Sequence, residues 1–118
     1  MSGLNRVICT GNLTRDVELR YTGESVPVCD IRIAIETRVK GEDSACFIDV
    51  TAWEKQAESC SKFLRKGSWI AVEGYLKQNE WTTPEGVKRS KICIVAHRVI
   101  FLSRGDKAED RADPSHEG

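Results

Sequence analysis

Through three stretches of this chain the apolar residues fall at every second position, and between two of them lies a single stretch with a different period. Val26–Val39 places Cys29, Ile31, Ile33 and Ile35 on one side and Asp30, Arg32, Ala34 and Glu36 on the other. Ala45–Trp53 sets Ile48, Val50 and Ala52 against Phe47, Asp49, Thr51 and Trp53. Trp69–Trp81 sets Ile70, Val72 and Leu76 against Trp69, Glu73, Tyr75, Lys77 and Trp81. A period of two is that of a pleated strand with one dry and one wet face. In Glu54–Leu64, by contrast, Ala57, Cys60, Ser61 and Leu64 recur at helical spacing. Early Glu54 and Glu58 and late Lys62, Arg65 and Lys66 suit a helix macrodipole, and Gly67 follows as a stop signal.

The remaining segments complete a β-rich order. Asn5–Leu13 predicts a first strand, with Gly11 marking a bulge or a close backbone approach. Asp16–Tyr21 predicts a short half-exposed strand that continues the first or pairs with it. Thr22–Ser25 predicts a turn, and Lys40–Ser44 a polar, mobile loop. Val87–Leu102 is a last long strand, joined to Trp69–Trp81 through Thr82–Gly86, where Pro84 and Gly86 suit a type I turn closed by a glycine bulge. The predicted fold is all-β, an OB-fold: a five-stranded antiparallel barrel with one α-helix between strands 3 and 4. Its expected core is Ile8, Ile31, Ile33, Ile48, Val50, Leu64, Ile70, Val72, Leu76, Ile92 and Ile94. Residues 1–103 form that domain. Residues 104–118 contain no large apolar side chain and predict a short, acidic, disordered tail.

The wet faces carry the functional information. Phe47, Trp53 and Trp81 alternate with ionised and hydroxyl side chains that a dry interior rejects. Flat rings among charges suit a ligand with π-faces and negative charge, as single-stranded nucleic acid has. Net charge is zero, but five of the 18 acids and only two of the 18 bases follow Gly105. Setting those aside leaves 16 basic and 13 acidic groups in residues 1–105, a net of +3 compatible with a phosphate backbone. Five scattered cysteines without a Cys-x-x-Cys pair argue against zinc and against a disulfide framework, and predict small buried hydrophobes, Cys46 being the one beside a loop. No nucleophile–base pair or phosphate-cradling glycine loop calls for catalysis, and no cofactor is expected. Neither a signal-peptide pattern nor a membrane-length apolar run is visible, so a cytoplasmic location is expected.

The residues also resemble a family. Leu4–Ile8 followed by Gly11–Tyr21 (GNLTRDVELRY) is similar to the N-terminal signature of bacterial single-stranded DNA-binding proteins. Phe47–Glu58 (FIDVTAWEKQAE), Phe63–Ser68, Val72–Leu76, and Trp81 before Gly86–Arg89 resemble their later blocks, over about residues 4–102. The resemblance implies an OB-fold subunit in a homotetramer, a dimer of dimers, wrapped by DNA and associated with the nucleoid. It implies base stacking on Phe47, Trp53 and Trp81, and phosphate contacts from Lys55, Lys66 and Lys77. Arg15, Arg20, Arg38 and Lys40 are further phosphate candidates. The chain departs from the family's pattern where Arg38 or Val39 stands near a common stacking tryptophan. Asp49 and Glu80 are acids expected to oppose phosphate. The family's acidic-hydrophobic tail tip has no counterpart before Gly118, so partners recruited through it are not expected. Two other readings stay open: a barrel whose aromatic face binds a protein, and a dimeric primosomal OB-fold protein that binds DNA and a helicase.

Overall fold

The computed structural model describes residues 3–103; the expected tail, 104–118, lies outside the described residues. Six strands and one helix follow in the order β1 (Val7–Leu13), β2 (Glu18–Tyr21), β3 (Pro27–Val39), β4 (Glu42–Trp53), α1 (Glu54–Phe63), β5 (Trp69–Thr82) and β6 (Lys88–Ser103). The sheet order is β1-β5-β6-β4-β3-β2, and an additional β1–β3 pairing closes the first five into a barrel. β1 and β2 both run antiparallel to β3, at Leu13↔Ile33 and then at Glu18↔Asp30. They are one strand interrupted between residues 13 and 18, which gives the five-stranded OB-fold barrel with its helix before the fourth. All pairings are antiparallel except β4–β6, which is parallel at Val50↔Ile94 and Thr51↔Val95.

Alternation put the right residues inside β3, β4 and the first half of β5. Ile31, Ile33, Val50, Ile70, Val72 and Ile94 are all at most 1 % exposed, with Leu64 closing over them from the end of α1. Three expected core residues are not core. Ile8 is 71 % exposed, because it stands opposite Glu73 on the outer face while Cys9 and Gly11 turn inward. Leu76 and Ile92 keep the inward parity of Val72 and Ile94 yet are 42 % and 54 % exposed. β5 alone has 14 residues, roughly 45 Å at about 3.3 Å each, so its hairpin with β6 extends past the barrel it helps to close.

Two connections also differ from expectation. Lys40–Ser44 is not a loop: Val39 pairs with Glu42, and only Lys40 and Gly41 (φ 53° and 79°) make the turn. Positive φ at both central positions is the geometry of a two-residue type I′ hairpin, which glycine favours. Gly67 does not stop the helix either. α1 ends at Phe63, Leu64 leaves it extended, and Gly67 serves the following Arg65–Ser68 turn. The Thr83–Gly86 turn is as expected, with the Gly86 N–H donating to the Thr83 carbonyl at 2.8 Å and Gly86 at φ 87°. The close approach at Gly11 is present as well: a Cβ there would lie 2.8 Å from the Ala34 carbonyl oxygen. Three of the five cysteines, Cys29, Cys60 and Cys93, are buried as expected, whereas Cys9 is half-buried and Cys46 is exposed within β4.

Candidate nucleic-acid interface

Strand register brings the predicted rings to one surface. In a pleated sheet, residues directly opposite one another share a face. Thr51, Val95 and Tyr75 form one such row across β4, β6 and β5. Alternation from Thr51 carries the outer face to Trp53 one way and to Asp49 and Phe47 the other. From Tyr75 it runs to Lys77 and Trp81, which stand opposite Cys93 and Arg89. From Trp53 to Trp81, with Phe47 between, the platform extends roughly 25 Å along the strands at about 3.3 Å per residue. Phe47, Trp53 and Trp81 are 54 %, 44 % and 48 % exposed, so about half of each ring's surface is open to solvent. A groove of about 500 Å³ runs beside Trp81, lined by Glu80, Thr82, Lys88, Arg89 and Ser90.

Asp49 occupies the centre of this face, and its surroundings revise the expectation of an opposing acid. Its Oδ1 accepts a hydrogen bond of 3.0 Å from Arg32 Nη1 on β3, and its Oδ2 accepts one from Lys91 Nζ on β6. Arg32 Cζ also stands 5.8 Å from the centroid of the Phe47 ring, within cation–π range. Burial alone would raise the Asp49 carboxyl's pKa, but the hydrogen bonds and charges of Lys91 and Arg32 outweigh it and hold the group below its ordinary value. The three side chains carry a net +1. Glu80 pairs with Ser90 and alternates with Trp81 in strand parity, yet it lines the groove beside Trp81, where it remains an acid facing the cations Lys88 and Arg89.

Among the predicted cations, Lys77 is exposed on the platform itself. Arg20 shares a row with Val28 and Trp53, and its guanidinium holds Asp30 at 3.1 and 3.4 Å. Arg38 and Lys40 lie together at the tip of the β3–β4 hairpin, where Arg38 faces Asp43 at 3.6 Å. Lys55 is exposed in the first turn of α1, just beyond Trp53. Arg15 and Lys66 lie off the sheet in two loops that meet where the Lys66 N–H donates to Asp16 Oδ1 at 2.7 Å. Arg32 and Lys91 were not among the predicted site residues. Arg32 shares the parity of Asp30 on β3 and was visible by that signal. Lys91 reaches Asp49 only through barrel closure across 42 residues of sequence.

Residues 4–102 match the single-strand binding protein family. The chain belongs to that family. Among its relatives, the single-stranded DNA-binding protein of Wolinella succinogenes is 42 % identical over 103 residues, covering 83 % of this chain and 64 % of that protein. The single-stranded DNA-binding protein of Treponema pallidum is 41 % identical over 106 residues, 86 % of this chain and 60 % of its own length. Single-stranded DNA-binding protein 2 of Chlorobaculum tepidum is 36 % identical over 113 residues, 91 % and 76 % of the two chains. This member of the single-strand binding family thus spans under two thirds of the first two of these relatives. The matched region contains the barrel except the last residue of β6, and every platform residue.

Proposed function

We propose that this protein binds single-stranded DNA with little regard to sequence and protects it during replication, recombination and repair. Bases stack on Phe47, Trp53 and Trp81, while Lys77 and neighbouring cations, with Arg15, Arg20, Arg38, Lys40, Lys55 and Lys66 as further candidates, neutralise the backbone. The observation that carries this reading is the common outward face of three half-exposed rings with cations between them. Every base has a π-face, so stacking tolerates any sequence, whereas a duplex hides those faces inside its own stack. No described helix is long and apolar enough to cross a membrane, and a DNA ligand fits a cytoplasmic, nucleoid-associated protein. Titration with oligo-dT at low salt is expected to quench tryptophan fluorescence, and duplex of equal length to leave it nearly unchanged. Equal responses to both would refute the reading.

The working unit in this proposal is a homotetramer, a dimer of dimers. Among the described residues, the edge of β1 opposite β5 has no strand partner from Val7 to Gly11. An open edge of that kind favours pairing with another strand. Ile8, 71 % exposed on the adjoining face, offers apolar surface beside it. A two-fold axis at that edge would pair β1 with its own copy. Light scattering on the eluting protein should give four times the chain mass, and a monomeric mass at working concentration would refute it.

A further inference from the structure

The Asp49 cluster points to more than charge balance. Both carboxylate oxygens are engaged, one by a cation from β3 and the other by a cation from β6, at the middle of the platform. The carboxylate is only 16 % exposed, whereas Arg32 and Lys91 are 36 % and 48 % exposed. The two cations are therefore accessible from outside and the acid that holds them is not. A backbone laid along Phe47 meets Lys91 and Arg32 before it meets Asp49. Its phosphate oxygens present to those cations the same two-oxygen, negatively charged acceptor that the carboxylate already provides.

We propose that Asp49 is an internal surrogate for a DNA phosphate: it holds Arg32 and Lys91 aligned on the empty face and releases Lys91 to a phosphate when DNA binds. This inference rests on the single-stranded DNA reading above. Asp49 is then a positioning residue that sets how tightly, and with what salt dependence, the platform binds. The cations are kept extended across the sheet without DNA, so fewer rotamers are lost on binding. Because a phosphate must displace the carboxylate, affinity is held below what the bare cations would give.

The test is a set of oligo-dT titrations across a tenfold range of salt, with the full chain, its Asp49→Asn and Lys91→Met variants, and the double variant. Asp49→Asn leaves no carboxylate to displace and none beside the backbone to offset the phosphate that Lys91 neutralises, so it should bind more tightly at low salt. The slope of log affinity against log salt should steepen by about 0.7, so that the gain shrinks about fivefold over a tenfold rise in salt. In the Lys91→Met background the same substitution frees Arg32 alone and removes no competitor for Lys91, so it should give a smaller gain. An equal gain in both backgrounds would mean that Asp49 acts only as a distant negative charge, and would overturn the proposal. An unchanged slope, or weaker binding by a variant with an unaltered urea midpoint, would overturn it too. Asp49→Ser repeats the comparison if the amide variant does not fold. Failure of the unmodified chain to bind oligo-dT would refute the DNA reading itself, separately from these outcomes.

Discussion

Trp81→Ala isolates stacking from folding. Trp81 stands opposite Arg89 near the turn of the β5–β6 hairpin, beyond the buried barrel, and about half of its surface is open. Its truncation removes a π-face without opening a cavity in the Ile31–Ile70–Ile94 core. Each stacked base is worth roughly 1–3 kcal/mol, which converts to about a 5- to 150-fold loss of affinity per site. The indole carries no charge, so the loss should be the same factor at every salt concentration and the salt slope should stay that of the parent. Trp81→Phe keeps a smaller ring and should recover most of the loss. Anisotropy of a labelled oligo-dT, with the protein titrated at several salt concentrations, measures both quantities, and thermal melting checks the fold. A shift within about 4–8 °C corresponds to no more than about 1 kcal/mol of stability. Binding by the alanine variant within twofold of the parent, or a loss accompanied by a shallower salt slope, would rule out stacking on Trp81.

Three further outcomes follow from the geometry. Gly74→Ala puts a Cβ 2.0 Å from the Val95 carbonyl oxygen and 2.9 Å from its carbon, both backbone. Urea denaturation should show a loss at or above the roughly 1–3 kcal/mol of ordinary overpacking, whereas Gly23→Ala, with nothing within 4 Å, should stay within about 0.5 kcal/mol. Asp49 is lowered in the fold from its usual 3.8, so the unfolded chain takes up its proton first as pH falls. Its stabilisation is complete above about that value and is lost as pH drops through the folded one, so Asp49→Asn should flatten the acid limb of a stability–pH curve below pH 4. Native thiol titration should find Cys46 reacting first, because it is exposed, while Cys29 and Cys60 react only on unfolding. Cys60 is held protonated by its hydrogen bond to Cys29 and by burial, and the thiolate is the reactive form.

Alternation in the sequence made the platform legible, because strand parity alone decides which side of a sheet a residue faces. Phe47, Asp49, Thr51 and Trp53 share a face in any fold that keeps residues 45–53 extended, and Lys77 and Trp81 follow by the same rule. Parity leaves two things open. One is which phase of a strand faces inward: in β1 the choice lay between Ile8 and Cys9, and the small Cys9–Gly11 side won because β1 packs tightly on β3 at Gly11. The other is where a strand outruns the core, as at Leu76 and Ile92. Lys40–Gly41 shows a third limit, since a run of polar residues reads as a loop when it is a two-residue turn between paired strands. The Asp49–Lys91 contact was out of reach for a different reason. It exists only because β4 and β6 meet in parallel after the chain has passed through a helix and a hairpin.

That meeting depends on one inserted residue. On β6, Val99 stands opposite inward Val72, and Arg98 opposite Glu73; but Ala96, not His97, stands opposite Gly74. His97 is the extra residue of a bulge, and a bulge shifts every later side chain by one position relative to its partner strand. On the C-terminal side of His97, the even-numbered Arg98 and Ile100 face outward. On its N-terminal side the odd-numbered Val95 and Lys91 lie on the outer face, while Ile94 turns into the core at 1 % exposure. A continuous ladder would have reversed this, placing Ile94 in water and directing Lys91 away from Asp49. Gly74 makes the bulge possible, because the Val95 carbonyl passes where any side chain at that position would sit. The first half of β5 can therefore close the barrel against β1, while its second half runs on with β6 alone and carries Lys77 and Trp81 past the core. Barrel closure and the ligand face thus share a single irregularity, and a change that repairs the ladder would remove Lys91 from the platform and Ile94 from the core in one step.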